Sequence, residues 1–251
     1  MSIMIVLQAR SQSTRLPRKI YMDLNGKYSI QRILDGCKKT IYPNKIVLAM
    51  PKEDKDEIEL RIKNGELDNF IDDRFSLFIG PGAQNDVMDR FYRAARLHNA
   101  DVIVRLTCDN PMYEGFSEGI DEMIECYLGH GATGFMGNNE AIVDNYYYPH
   151  GIDVEIFNYR MLCWAKQNIN DKYNLEHCAT SFYKPPNRFM LLPFKNKYKI
   201  NTISTKIPKF TMDTEEDYRL LLKLTKNFDI YKDLNKAIDT THEEVKNDGK
   251  Q

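Results

Sequence analysis

The stretch Ile3-Met4-Ile5-Val6-Leu7-Gln8-Ala9-Arg10-Ser11-Gln12-Ser13-Thr14-Arg15-Leu16-Pro17-Arg18-Lys19 decides the fold of this 251-residue chain. Its first five residues are an unbroken apolar run, the pattern of a short buried β-strand. The run opens into a loop that gathers Arg10, Arg15, Arg18 and Lys19 beside the hydroxyl residues Ser11, Ser13 and Thr14. A strand feeding such a loop sets cations and backbone N–H groups at the carboxyl end of a sheet, where open α/β sheets bind ligands. Fixed Arg and Lys side chains hold the clustered charges of a triphosphate through charge-assisted hydrogen bonds. A basic loop can equally be plain solvated surface. Its place straight after the first strand favours the binding role.

Outward from this stretch, strand-like runs alternate with amphipathic segments. Further strands are expected at Lys45–Met50, Ser76–Ile79 and Val102–Thr107, and helices at Ser29–Lys39, Glu53–Asn64, Asp86–His98 and Ser117–Leu128. In the first helix Ile30, Ile33, Leu34 and Cys37 share a face, and Ser29 is a candidate N-cap. Such alternation implies right-handed crossovers and a largely parallel sheet. The second half is less regular. Gly151–Phe157 and Arg188–Phe194 read as strands, and Tyr159–Gln167, Leu175–Tyr183 and Thr214–Lys226 as helices, the last capped by Asp213 or Thr214. A mixed sheet is therefore expected, in one domain over residues 1–240 with a polar tail at 241–251.

Composition narrows the class. Lys and Arg number 35 against 36 Asp and Glu, so no basic excess points to nucleic acid as a bulk partner. No apolar run approaches membrane-spanning length, and no signal-peptide pattern opens the chain. The five cysteines form no CxxC pair, so neither a zinc site nor a disulfide framework is expected. A cytoplasmic location follows as the expectation.

Five further places could carry chemistry. Asp109 follows the β-branched run Val102-Ile103-Val104-Arg105-Leu106-Thr107, at the same sheet edge as the basic loop. It could supply an oxygen to magnesium, which takes one or two carboxylates plus substrate phosphates, or with Asn110 it could make a turn before Pro111. Asp213 precedes Thr214, Glu215 and Glu216, a good helix start; it becomes a metal candidate only where the fold brings it to Asp109. Gly80-Pro81-Gly82 leads into a helix at Asn85-Asp86, a loop that a ligand's phosphates could approach and a plain N-cap in equal measure. It lacks the remainder of a dinucleotide fingerprint. Asp153 and Glu155 stand two apart on an expected strand and share a face, which then meets solvent, a base or a ligand. Glu176 and His177 open a helical segment, and no Ser-His-Asp or Cys-His set is legible.

With these residues in view, the chain resembles the cytidylyltransferases that activate acidic sugars, of the 3-deoxy-manno-octulosonate and sialic-acid type, and most closely those of the spore-coat-polysaccharide type. The likeness is carried by QARSQSTRLPRK at residues 8–19, LNGK at 24–27, DVMDRFYRAA at 86–95, VRLTCDNP at 104–111, YPHGIDVEIF at 148–157, LEH at 175–177 and FTMDTEEDY at 210–218. It spans roughly residues 3–225. It implies a three-layer α/β/α nucleotidyltransferase (Rossmann-like) fold with a central mixed, mostly parallel sheet. It implies CTP held by Gln8, Ala9, Arg10, Ser13, Arg15, Lys19, Asp86, Arg90 and Asp109, with Arg15, Lys19 and Asp109 catalytic. Asp109 and Asp213 would hold Mg2+. Asp153, Glu155, Glu176 and His177 would face a small acidic sugar or a phosphorylated acceptor. A homodimer is common among such enzymes, and neither nucleic acid nor membrane is implied as a partner. The alternatives are a nucleotidyltransferase using another nucleoside triphosphate and a non-catalytic nucleotide-binding relative.

Three places bear on the substrate. A glycine is usual after the proline of the first motif, where this chain has Arg18, which adds charge and could redirect the loop. An arginine is often found where Leu175 stands, so a substrate-side cation is missing. Tyr146-Tyr147-Tyr148-Pro149-His150 could shape the acceptor pocket.

Overall fold

The structure is a computed structural model, and it describes residues 1–67, 73–144, 147–184, 189–195 and 209–227. Seven strands form one sheet in the order β3-β2-β1-β4-β6-β5-β7. They are β1 (Ile3–Gln8), β2 (Lys45–Pro51), β3 (Phe75–Gly80), β4 (Val102–Thr107), β5 (Phe135–Gly137), β6 (Glu155–Asn158) and β7 (Leu191–Pro193). β1 pairs parallel with β2 and β4, and β2 with β3. β6 runs antiparallel to both β4 and β5, while β7 is parallel to β5. The sheet is thus mixed and mostly parallel, as expected, with β6 alone reversed.

The helices are α1 (Ser29–Lys39), α2 (Lys55–Lys63), α3 (Val87–Leu97), α4 (Ser117–Gly129), α5 (Tyr159–Asn168), α6 (Lys172–Glu176), α7 (Thr180–Tyr183) and α8 (Glu215–Asn227). They cover both faces of the sheet because its strands are apolar on both. Ile3, Ile5 and Leu7 of β1 enter one core with Ile30, Ile33 and Leu34 of α1 and Ile120 and Ile124 of α4. Met4 and Val6 enter the other with Val87, Met88 and Phe91 of α3 and Leu162 of α5. The period-two division of one strand between two cores makes the three layers.

Several local expectations are corrected. α1 is entered from Tyr28, in extended conformation; Ser29 is its first residue and its buried hydroxyl has no hydrogen-bond partner. A single turn of 3₁₀ helix over Lys52–Asp54 precedes α2. The helix expected over 175–183 is broken into α6 and α7 at His177. The strand expected from Gly151 begins only at Glu155, because Gly151 turns the chain at a φ of +104°. The backbone of Phe210 lies 2.4 Å from where a Cβ on Gly151 would sit, so no side chain fits there. β5 went unread, being three residues long. Tyr146, Arg188 and the expected tail at 241–251 lie outside the described residues.

Candidate active site

The order β2-β1-β4 places consecutive crossovers on opposite sides of β1, which opens a crevice at the carboxyl ends of β1 and β4. A cavity of about 290 Å³ lies there. It is lined by the loop after β1 (Arg10, Ser13, Thr14, Arg15, Lys19), by Gln8 and Ala9, by Arg90 of α3, by Arg105 and Thr107 of β4 with Cys108 and Asp109 just after it, by Glu176 and His177, and by Asp213.

Asp109 and Asp213 are 104 positions apart in sequence, and two backbone hydrogen bonds bring them together. Phe210 donates its N–H to the His150 carbonyl (2.6 Å), and Met212 donates to the Asp109 carbonyl (2.8 Å). The capping task falls to Thr214. Its hydroxyl accepts from the Asp217 N–H (3.2 Å), and the Asp217 carboxylate accepts from the N–H groups of Asp213 and Thr214 (both 2.9 Å). This reciprocal cap satisfies the open N–H groups at the start of α8 and leaves the Asp213 carboxylate to the cavity.

Lys19, only 8% exposed, joins the two aspartates: its Nζ lies 3.0 Å from Asp109 Oδ2 and 2.9 Å from Asp213 Oδ1. Arg15 reaches Asp213 Oδ1 at 3.0 Å, and Lys209 Nζ reaches Asp213 Oδ2 at 2.5 Å. Burial by itself raises the Asp213 carboxyl, but hydrogen bonds and charge from Lys209 and Lys19 outweigh it and bring its pKa down to about 2. Asp213 is therefore an anion at any working pH. Among the described residues no group of three or more His, Cys, Asp or Glu side chains could hold a metal. Asp109 and Asp213 form a pair of hard oxygen donors, which suits a cation that completes its shell with phosphate oxygens and water.

Two more arginines face the same space. Arg10 bonds the Asn85 side chain (3.0 Å) and pairs with Glu176 (3.2 Å). Arg90 is 1% exposed and has no ion pair among the described residues. It donates to the carbonyls of Ala83 (3.2 Å) and Gln84 (2.7 Å), and its Nε has no partner. Burial lowers its pKa, Asp86 counters this, and the like charge of Arg10 adds to it. A buried guanidinium without a carboxylate is costly, and an anion in the cavity would relieve that cost.

Asp86 itself does not line the cavity. It caps α3, accepting from the Asp89 N–H at 2.9 Å. Asp153 and Glu155 line a neighbouring cavity of about 290 Å³ with Arg105, Thr107, Asn139, Glu140, Ala141, His150 and Tyr183. Arg105 and Thr107 are walls of both spaces. Glu155 is opposite Arg105 in register because β6 is reversed, and the two form an ion pair; Arg105 also donates to Gln8 Oε1 (2.9 Å). Arg18 turns away from both cavities to pair with Glu57, and its backbone sits at a φ of +58°. That is the left-handed region a glycine enters freely, and Arg18 occupies it at a steric cost.

Arg105, Thr107 and Lys209 are site residues that the sequence reading passed over. Arg105 carried a readable signal, since a charged residue inside a β-branched strand must find a partner.

The cytidylyltransferase family model matches residues 4–244. An uncharacterised protein of Methanocaldococcus jannaschii is 31% identical over 242 residues, 95% of this chain and 90% of that one. The spore coat polysaccharide biosynthesis protein SpsF of Bacillus subtilis is 26% identical over 231 residues, 88% of this chain and 85% of its own length. A solved cytidylyltransferase structure from Leptospira borgpetersenii serovar Hardjo-bovis superposes with a TM-score of 0.75 at 27% identity, covering 95% of this chain and 97% of that one. A crevice at the switch point of a parallel sheet, a basic loop behind β1 and a match over nearly the whole length agree: this chain is a member of the cytidylyltransferase family, a nucleotidyltransferase by fold and descent.

Proposed function

We propose that the protein transfers the cytidylyl group of CTP to an oxygen of a sugar acceptor that bears a carboxylate or a phosphate. The bond from that oxygen to the α-phosphorus forms as the bond to the bridging oxygen breaks, and pyrophosphate leaves with the electron pair. The product is a CMP- or CDP-linked sugar for surface polysaccharide or glycoconjugate synthesis. The observation that carries the reading is the cluster in which Lys19 joins Asp109 to Asp213 beneath Arg15, Arg10 and Arg90. This many cations in one crevice match the charge of a triphosphate.

In this reading Arg10, Arg15 and Arg90 bind and orient the phosphates, and Gln8, Ala9 and Ser13 border the nucleotide. Lys19 neutralises charge that grows on the departing pyrophosphate. Asp109 and Asp213 would hold Mg2+, which would supply charge neutralisation at the phosphate oxygens. The protein's work is positioning and electrostatics rather than covalent chemistry. Glu176 and His177, on the break between α6 and α7, stand between nucleotide and acceptor. CTP and the acceptor are the partners the reading requires.

The test is pyrophosphate release with CTP, UTP, ATP and GTP, each with Mg2+ and a panel of acidic sugars and sugar phosphates. Release with CTP above the other three is expected. Release with another nucleotide instead, or CTP binding with no product from any acceptor, would overturn it.

A further inference from the structure

The two cavities share Arg105 and Thr107 but differ in charge, and the second rests on the reading above as the acceptor's place. Its walls carry three carboxylates, Glu140, Asp153 and Glu155, against Arg105 and His150. Arg105 is already committed: one arm pairs with Glu155 and the other bonds Gln8. His150 lies 3.3 Å from Glu140 and 3.7 Å from Asp153, so one imidazole serves two anions. Two carboxylates over a single titratable ring leave an excess of negative charge even when the ring is protonated. The buried Oδ1 of Asp153 and Nε of Arg105 have no hydrogen-bond partner, so polar capacity is left over in the wall. Leu175 gives the neighbouring segment no cation, packing instead among the apolar side chains of the α3–α5 core.

A carboxylate or phosphate entering here would meet fixed negative charge, and the Arg105 guanidinium in this wall already has its charge paired with Glu155. Such a group belongs in the first cavity, with Arg10, Arg15, Lys19 and Arg90. We infer that the second cavity takes an ammonium group: the acceptor is an amino sugar derivative whose anionic, reacting end faces the nucleotide and whose free amine lies against Glu140 and Asp153. The carboxylates then gain the cation they lack, and hydroxyls of the sugar ring, each donor and acceptor at once, suit the leftover polar atoms. An N-acetylated sugar would lose this attraction and bring an extra apolar methyl.

The full-length protein, saturated with a non-hydrolysable CTP analogue and Mg2+, is titrated with glucosamine, N-acetylglucosamine and glucuronate, and binding is followed by ligand-observed NMR. Glucosamine is expected to bind about ten-fold tighter than either of the others, the scale of one partly desolvated charge pair. Glu140→Gln and Asp153→Asn are each expected to remove most of that preference. Binding of the CTP analogue, read in the same samples, reports that the variants are folded. Equal binding of the three sugars, binding of none, tighter binding of glucuronate, or a preference that survives both substitutions overturns the inference. Failure here is separable from failure of cytidylyl transfer. Pyrophosphate release with an acidic sugar lacking an amine, and no glucosamine preference, sinks only the amine; a glucosamine preference with no turnover of CTP sinks only the transfer.

Discussion

The two cavities are of equal volume, about 290 Å³, and meet at the same arginine, yet one is cationic and the other anionic. The difference comes from the strands that feed them. The first lies at the carboxyl ends of the parallel β1 and β4, where the loop after β1 delivers Arg10, Arg15 and Lys19. The second is fed by the amino end of the reversed β6 and the turn before it, which deliver Asp153 and Glu155. Reversing one strand in a parallel sheet sets two loops of unrelated chemistry on the same edge. In the proposed reading nucleotide and acceptor take one cavity each, side by side, which is what a transfer reaction needs.

Arg105 is the sharpest place to break this contrast. Arg105→Met leaves Glu155, 5% exposed, as an uncompensated buried anion, and a loss of about 3–5 kcal/mol in unfolding free energy is expected. Chemical denaturation checks it. Adding Glu155→Gln to that variant is expected to recover much of the loss, and a double variant as unstable as the single would show the pair is not the cause. Next come the cationic cavity's own residues. Lys19→Ala or Asp109→Ala is expected to slow pyrophosphate release by ~10²–10³ while the fold survives, the usual effect of removing one preorganised charge contact. Near-normal turnover by either variant with a working acceptor would sink the role assigned to it.

A smaller effect belongs to acid pH. The Asp213 carboxyl is held near 2, below its ordinary 3.8, so its stabilisation is fully present above the unfolded pKa and is lost as pH falls through the folded one. The window is therefore about pH 4 down to 2, and the contribution about 2 kcal/mol. Asp213→Asn should flatten that part of the stability-pH curve; an unchanged slope would refute it. The smallest effect lies on the anionic side. The Asp153 carboxylate beside the ring raises the His150 pKa, burial opposes it, and the charge of Glu140 adds to the rise. Its contribution is present below the ordinary 6.5 and fades as pH climbs through the raised value. The ring is half exposed, so after solvent screening only a few tenths of a kcal/mol are expected. NMR titration of the His150 ring should show the raised pKa, and His150→Gln should remove the slope.

The parallel half was legible because its signals are local and repeated. β4 falls on Val102–Thr107 as read, and β1 and β2 exceed the expected spans by one residue each, since a strand apolar on both faces shows as an unbroken run. The second half gave weaker signals. β5 has three residues and β6 four, too few for a period to register, and Gly151 turned what looked like one strand into a turn and a strand. The break at His177 was equally hidden, because Leu175 to Tyr183 keeps helical spacing across it.

By itself, the sequence determined the layered α/β architecture, the basic loop behind the first strand and the membership that its ordered motifs announce. These rest on periodicity and chain order, which need no third dimension. Only the tertiary structure decided that Asp213 belongs with Asp109 rather than at a helix cap, that Arg18 faces away from the site, and that Glu155 meets Arg105. Each of these depends on a contact between distant segments: the Met212 N–H on the Asp109 carbonyl, the ion pair of Arg18 with Glu57, and the register of a reversed strand. Contacts of that kind are fixed by how closed backbones pack, and a linear pattern carries no trace of them.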